Sequence, residues 1–112
     1  IIPSLVPESF GLTAIEAMAR EVIVIANRSG ALVEIIHHGE NGLLYNDENP
    51  GELLETLSML LDNDYDIARL REEGVSTVQA HYHPEKQLEL LHQIVYDATV
   101  QPLQSIFKRL VR

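Results

Sequence analysis

A continuous apolar run, Val22 to Ala26, limits the folds open to this chain. Most of its residues are β-branched, and strands of this kind are typical of parallel sheets that are covered on both faces. A segment with apolar residues at helical spacing, residues 11–20, precedes the run, and a second one, residues 31–37, follows it. The pattern therefore predicts an α/β fold with a short parallel sheet and flanking helices.

The remaining strands are predicted to be short. Leu43-Leu44-Tyr45 is predicted as a strand, and Ile1-Ile2-Pro3-Ser4 as the end of a buried strand that begins upstream. Because two or three strands make a narrow sheet, we interpret the chain as a fragment, the C-terminal half of an open sheet. Residues 1–100 are predicted to form this partial Rossmann-like domain, and residues 101–112 a C-terminal amphipathic tail.

The helix predicted after the last strand has a recognisable start. Asn49 can cap it, Pro50 suits its first position, and Glu52 stands where a capping box has its acid. The leucines that follow are predicted to share one buried face. They are Leu53, Leu54, Leu57, Leu60 and Leu61.

Two further helices are predicted. Asp64 or Asp66 can begin the first, and His83-Pro84-Glu85 begins a long last helix that Pro102 is predicted to break. Apolar positions recur in both helices at helical spacing and are predicted to face inward. These positions are Ile67, Leu70, Gly74 and Val78 in the first helix and Leu88, Leu91, Val95 and Ala98 in the second.

The composition is that of a globular protein, with 46% hydrophobic and 22% charged residues. A net charge of -9 argues against nucleic acid as a partner and against a main anchor on an anionic membrane. The chain contains no cysteine, which excludes disulfides and thiolate metal sites. We expect a cytoplasmic protein without a signal peptide, and peripheral association of a full-length protein with the inner face of a membrane stays open.

Two carboxylates, Glu8 and Glu16, stand on either side of a glycine turn that opens the first helix. The amides of Phe10 to Thr13 are predicted at the helix N-terminus, where backbone N–H groups favour phosphate. Gly11 lacks a Cβ, which is expected to let a ligand approach its backbone. Glu16 lies about 7 Å along the helix from Gly11, and its side chain leans back toward the same end. A carboxylate there can accept hydrogen bonds from both hydroxyls of a ribose.

These residues belong to a series of blocks that resembles the second Rossmann-type domain of family 4 retaining glycosyltransferases, which have the GT-B fold. Glu8 and Glu16 match the E-x7-E signature of that family. The blocks follow in the family's order over about four-fifths of the chain, from Ile2 to about Val95. They are Pro3-Ser4, Glu8-Ser9-Phe10-Gly11-Leu12, Ile15-Glu16-Ala17-Met18-Ala19, Ser29-Gly30, Glu34-Ile35-Ile36 and Gly39-Glu40-Asn41-Gly42-Leu43-Leu44.

The resemblance implies a nucleotide-sugar donor site and no cofactor. The donor would be a UDP-, GDP- or ADP-sugar, and Glu8 would be catalytic, contacting donor-sugar hydroxyls or supporting the departing phosphate. Glu16 would bind the ribose. The implied donor-binding residues are Glu8, Ser9, Phe10, Gly11, Leu12, Thr13 and Glu16.

The same resemblance implies that essential parts lie outside this chain. The family's phosphate-binding Arg and Lys belong upstream of Ile1, and the acceptor site, for a glycan, lipid or other hydroxyl compound, belongs to an N-terminal domain. We therefore expect the isolated chain to transfer no sugar. Its truncated sheet edge could also favour a homodimer of the fragment.

Several residues depart from the family pattern. Arg20, Glu21 and Ile23 stand where the family has a small residue, Gly and Pro, so the turn must form without glycine and a residue near Glu21 is expected in a less favourable conformation. Gly30-Ala31 replaces a common glycine pair, and Val33 replaces a common Pro. These changes leave the carboxylates untouched but bear on donor specificity.

Other interpretations stay open. A Glu near a helix N-terminus is often only a favourable partner of the helix dipole. The domain could also be a non-catalytic module that binds a nucleotide or a partner, or a relative such as a sugar-nucleotide epimerase. These alternatives share the fold but not the detailed signature.

Neither the histidines nor the tail gives a better candidate site. His37-His38 would point apart on a helix and His81-x-His83 falls in a loop, so no metal site is predicted. The tail carries an apolar stripe among basic residues, which would pack on a missing domain or a second copy, or touch a lipid surface. The stripe is Ile106, Phe107, Leu110 and Val111, and the basic residues are Lys108, Arg109 and Arg112.

Overall fold

The computed structural model describes residues 1–110, except for the side chains of residues 105–107 and 109. Its contacts divide the chain into two units, Ile1–Ala80 and His81–Arg112. The first unit contains both strands and nearly all of the first four helices. The second contains one long helix. The predicted boundary between a partial Rossmann-like domain, residues 1–100, and an amphipathic tail, residues 101–112, stays a prediction.

A two-stranded parallel sheet forms the centre of the first unit. Strand β1 (Ile25–Asn27) pairs in register with β2 (Leu43–Tyr45), and all six residues are buried. On its other side, Ala26 forms an isolated parallel bridge with Ile2. The α/β class, the parallel pairing and the bounds of the second strand are confirmed.

The first strand is shorter than predicted and lies further along the chain. Val22, predicted as a strand residue, is 53% exposed, and its amide bonds to the Ala17 carbonyl in a turn. Glu21 in that turn has a φ of 60°, so the unfavourable conformation expected there is confirmed. Residues 22–24 therefore lead into the strand without belonging to it.

Two short helices flank the sheet and are shorter than predicted. Helix α1 (Leu12–Met18) ends where the turn just described begins, so it does not reach residue 20. Helix α2 (Leu32–Ile35) does not reach residue 37, because the Asn41 side chain accepts the His37 amide and donates to the Ile35 carbonyl. Asn41 is 3% exposed and thus ends the helix from inside the fold.

Helix α3 (Glu52–Leu61) packs on β1 and β2, but its start differs from the prediction. Gly51 is the capping residue and no side chain caps the helix, since Asn49 engages the Glu52 amide through its backbone carbonyl. The predicted cap at Asn49 and first helical position at Pro50 are therefore wrong.

The predicted leucine face of α3 is only partly buried. Leu53, Leu57 and Leu60 pack against the cluster around β1 and β2. Leu54 and Leu61 are 69% and 78% exposed, which corrects the prediction that they face inward. At about 100° per residue, these two leucines lie well to one side of the other three.

Helix α4 (Ile67–His81) matches its prediction closely. Asp66 accepts the Arg69 amide at 3.0 Å, which selects Asp66 as the N-terminal cap. Leu70 and Gly74 are buried, and Ile67 and Val78 are half-buried. Gly74 lies against Met18 of α1 and the Asn41 carbonyl.

Helix α5 (Pro84–Leu110) forms the second unit and starts where it was predicted to start. Pro102 lies inside this helix, so the predicted break is wrong. The four positions predicted to face inward, Leu88, Leu91, Val95 and Ala98, are all exposed. In the predicted tail, Leu110 of the apolar stripe and the basic Lys108 are exposed. The rest of the tail residues named above lie outside the described part: the side chains of Ile106, Phe107 and Arg109, and residues Val111 and Arg112.

Across residues 1–110, no helix combines the length and apolar character that a bilayer crossing requires.

Candidate donor site

The candidate site lies at the carboxyl ends of the parallel strands. The Ile2 amide donates to Ile25 O at 2.8 Å, and the Asn27 amide donates to Ile2 O at 3.1 Å. Because these segments run in parallel, the residues that follow Ile2 and the residues that follow β1 meet at one sheet edge. Ligands of open α/β folds bind at this edge.

Glu8 is held to this edge by its own backbone and by its carboxylate. Its carbonyl accepts the Ala31 amide at 2.8 Å. Its Oε1 accepts a hydrogen bond from the Ser4 hydroxyl at 2.9 Å, and the residue is half-buried. The side chain therefore has a defined direction.

Gly30 brings the turn after β1 directly against Glu8. Its φ is 52°, and a Cβ there would overlap the backbone O and N of Glu8. Any other residue would face both an unfavourable φ and this overlap. Glycine at position 30 thus permits the close approach of the two loops.

Asn27 joins three segments at the same edge. Its Nδ2 donates to Ser4 O at 3.0 Å, and its Oδ1 accepts the Asp47 amide at 3.2 Å. The side chain is 2% exposed, so these bonds satisfy a buried polar group. Sequence reasoning did not single out Asn27, although an amide at the end of a buried strand was a usable signal.

Gly11, at the start of α1, lies against the Ile35 side chain of α2. It has a φ of 65°, and a Cβ there would lie 2.5 Å from Ile35 Cδ1. The missing Cβ therefore makes room for the Ile35 side chain of α2. Contact between the Gly11 backbone and a ligand stays a prediction.

The amides of the turn have no acceptor within the described part of the chain. The Gly11 carbonyl accepts the amides of Ala14 and Ile15, but no group in residues 1–110 accepts those of residues 9–13. Phe10 and Leu12 are 76% and 61% exposed, and Thr13 is exposed as well. These amides are therefore not engaged by the described part of the chain.

Glu16 lies on the exposed side of α1. Its backbone carbonyl accepts a hydrogen bond from the Arg20 guanidinium at 3.1 Å, whereas no partner of its carboxylate lies within residues 1–110.

The loop from Ser4 to Ser9 lines an open depression of about 570 Å³ beside Glu8. All of the predicted donor-site residues thus lie on one surface segment, and all except the half-buried Glu8 and the buried Gly11 are exposed.

Tyr45 ends β2 at the same edge but faces the interior. Burial of its hydroxyl raises its pKa above the ordinary value of 10.0, and the negative charge of Asp47 adds to this effect. The hydroxyl is therefore uncharged at neutral pH.

The histidines do not converge in the described part of the chain. The His38 ring accepts the Leu44 amide through Nδ1 at 3.0 Å, and its Nε2 lies 3.2 Å from the Tyr65 hydroxyl. Within residues 1–110, no three His, Asp or Glu side chains gather as a metal site would require. The absence of a metal from the functional protein stays a prediction.

Comparison with known proteins decides the family. Residues 1–77 match the model of the family described as glycosyl transferases group 1. The chain belongs to this family. An uncharacterized glycosyltransferase of Methanocaldococcus jannaschii is 42% identical over 74 residues, which cover 66% of this chain and 21% of that protein. This group 1 chain thus spans about a fifth of that relative's length.

Solved structures agree with this assignment. The C-terminal domain of a glycosyl transferase group 1 protein from Francisella tularensis is 35% identical, with a TM-score of 0.61, and the match covers 70% of this chain and 40% of that one. A UDP complex of HepE from Anabaena has a TM-score of 0.77 at 21% identity, over 84% of this chain and 26% of that one, and shows the fold alone. The expected fold, part of the C-terminal domain of GT-B glycosyltransferases, is confirmed.

Proposed function

We propose that this chain is the nucleotide-sugar-binding part of a retaining glycosyltransferase. The complete protein would transfer a sugar from a nucleoside diphosphate to a hydroxyl group of an acceptor. The proposal depends on one observation: Glu8 and Glu16 stand on either side of a largely exposed turn whose amides have no acceptor within residues 1–110, in a chain of the group 1 family. The UDP bound to the Anabaena relative supports a nucleotide as the ligand class.

The proposed roles follow from the chemistry of the donor. The amides of residues 9–13 bind the diphosphate, which gains negative charge as the glycosidic bond breaks, and fixed donors stabilise that charge. The Glu16 carboxylate accepts the hydroxyls of the ribose. Glu8 contacts the donor sugar or supports the departing phosphate. No side chain is assigned as a nucleophile.

Amide NMR of the 112-residue chain tests the donor site directly. We would titrate labelled chain with UDP, GDP and ADP, using the matching nucleosides as controls. The largest shifts are expected at the amides of residues 9–13, and only with the diphosphates. Shifts scattered over the chain, or equal shifts with the nucleosides, would contradict the diphosphate role.

A matched pair of glutamate substitutions tests Glu16. Glu16→Gln should lower the affinity for the preferred diphosphate about tenfold or more, since a hydrogen bond to a charged group is worth about 1.5–3 kcal/mol. Glu55→Gln changes an exposed glutamate in the first turn of α3 and should leave the affinity unchanged. Equal effects of the two substitutions would exclude a specific role for Glu16.

Transfer assays test the reaction itself. The isolated chain should transfer no labelled sugar, because the acceptor site and part of the phosphate site are proposed to lie elsewhere. The protein expressed from its complete gene should transfer sugar with the anomeric configuration of the donor retained. Tight nucleotide binding without transfer by that complete protein would favour a non-catalytic module.

A further inference from the structure

The Ser4 hydroxyl is the one group in the described part of the chain that donates to the Glu8 carboxylate. It bonds to Oε1 at 2.9 Å, and both residues are half-buried. The bond leaves Oε2 of Glu8 without a protein donor in residues 1–110. Oε2 is therefore available to accept a hydrogen bond from a ligand.

Both ends of this contact are anchored to β1 and the turn that follows it. Asn27 fixes the Ser4 carbonyl at 3.0 Å, and Ala31 fixes the Glu8 carbonyl at 2.8 Å. Gly30 lies directly against the Glu8 backbone. Because neither backbone can shift without breaking one of these contacts, the backbones of Ser4 and Glu8 keep their separation.

The segment between the two residues is exposed. Leu5 and Val6 are 78% and 76% exposed. Within residues 1–110, the hydrogen bonds of this loop are made at its two ends, by Ser4 and Glu8. Loss of the hydroxyl would leave the Glu8 side chain with no hydrogen bond to restrict its rotamers within residues 1–110.

We propose that Ser4 is a positioning residue for Glu8, holding its carboxylate in one rotamer so that Oε2 faces the donor. The inference rests on the proposed role of Glu8 in donor binding. Ser4 acts through Glu8 and needs no contact with the donor itself. Preorganisation of this kind raises affinity because the side chain is ordered before the ligand arrives.

The first test needs no ligand. NMR scalar couplings should show one χ1 rotamer for Glu8 in the unmodified chain, rotamer averaging in Ser4→Ala, and one rotamer again in Ser4→Thr, which keeps the hydroxyl. The amide signals of β1 and β2 report whether the fold is intact. Averaging in the unmodified chain, or no change in a folded Ser4→Ala chain, would overturn the proposal.

The second test is a double-mutant cycle on donor affinity. The probe is the best binder among UDP-glucose, GDP-mannose and ADP-glucose. Ser4→Ala should weaken its binding about five- to tenfold, because the freed Glu8 side chain must then be ordered when the donor binds, and Ser4→Thr should restore the affinity. In a Glu8→Ala background, Ser4→Ala should change binding less than about twofold.

The outcomes separate the two proposals. A Ser4→Ala effect of the same size with and without Glu8 would mean that Ser4 acts on the loop in general, which overturns the inference. No effect of Glu8→Ala on binding would overturn the proposed role of Glu8, while the rotamer measurement would still decide whether Ser4 orients that side chain.

Discussion

Leu32 and Leu43 in the first unit are fully buried, whereas Leu91 and Ile94 of α5 each leave 56% of their surface exposed. The same kind of side chain thus has two different environments in one chain. In residues 1–80, apolar contacts among strands and helices hold the elements together. In α5, the helix is supported by its own backbone hydrogen bonds, which depend on local sequence.

The largest expected difference is between two leucine substitutions. Leu43→Ala should lower the free energy of unfolding by about 2–5 kcal/mol, because it leaves a cavity in a packed core. Leu91→Ala should change it by less than about 0.5 kcal/mol, as exposed substitutions usually do. Urea unfolding followed through the amide signals of β1 and β2 measures both. Similar losses of unfolding free energy for the two variants would contradict the difference in burial between the first unit and α5.

Proline substitutions in α5 should affect only that helix. Pro102→Ala should stabilise it locally by about 3 kcal/mol, since an interior proline removes a hydrogen bond and clashes with the preceding turn. Pro84→Ala is the matched control, because proline suits the first helical position. Hydrogen exchange of the α5 amides gives the readout. Slower exchange in β1 or β2 as well would contradict local stabilisation.

Two glycines test whether the tight packing of the first unit is needed to hold Glu8 in place. Gly30→Ala and Gly39→Ala each place alanine at a positive φ, which costs about 1–3 kcal/mol. Only the alanine at position 30 would also overlap Glu8, since the nearest atom to a Cβ at Gly39 is 3.8 Å away, on Tyr65. Gly30→Ala should therefore weaken nucleotide-sugar binding while Gly39→Ala does not.

Tyr45 gives the smallest expected effect. Because the folded chain holds the Tyr45 proton more tightly than the unfolded chain, stability should be full below pH 10.0 and fall as the pH rises from there through the folded pKa. Urea unfolding at increasing alkaline pH measures this loss. Tyr45→Phe should make the alkaline loss of stability smaller. Tyr96→Phe in α5 should leave that loss unchanged.

The sequence predicted those elements best whose ends are set by local chemistry. The second strand and the start of α5 at Pro84 were predicted correctly, and Asp66 was one of the two residues predicted to begin α4. The start of α3 was predicted wrongly, because Asn49 and Pro50 carry favourable capping chemistry but the chain uses them in the preceding turn. Pro102 was predicted as a break, yet a single missing hydrogen bond does not end a helix that is otherwise continuous.

The candidate site was predicted in part. Its surface segment from Glu8 to Glu16 followed from the motif, and whether those residues bind a donor stays a prediction. Asn27 and Gly30 were not recognised as supports of Glu8. Their contacts join segments about 20 residues apart, which no local pattern encodes.

Local spacing and backbone chemistry were enough to establish the α/β class, the parallel strands and a glycine turn beside two glutamates, because each depends on residues close together in the chain. Long-range packing established the rest. The first strand ends at a buried Asn27, the missing Cβ of Gly11 makes room for Ile35, and that of Gly30 makes room for the Glu8 backbone. Packing decides such features because the space around a residue belongs to neighbours that are distant in sequence.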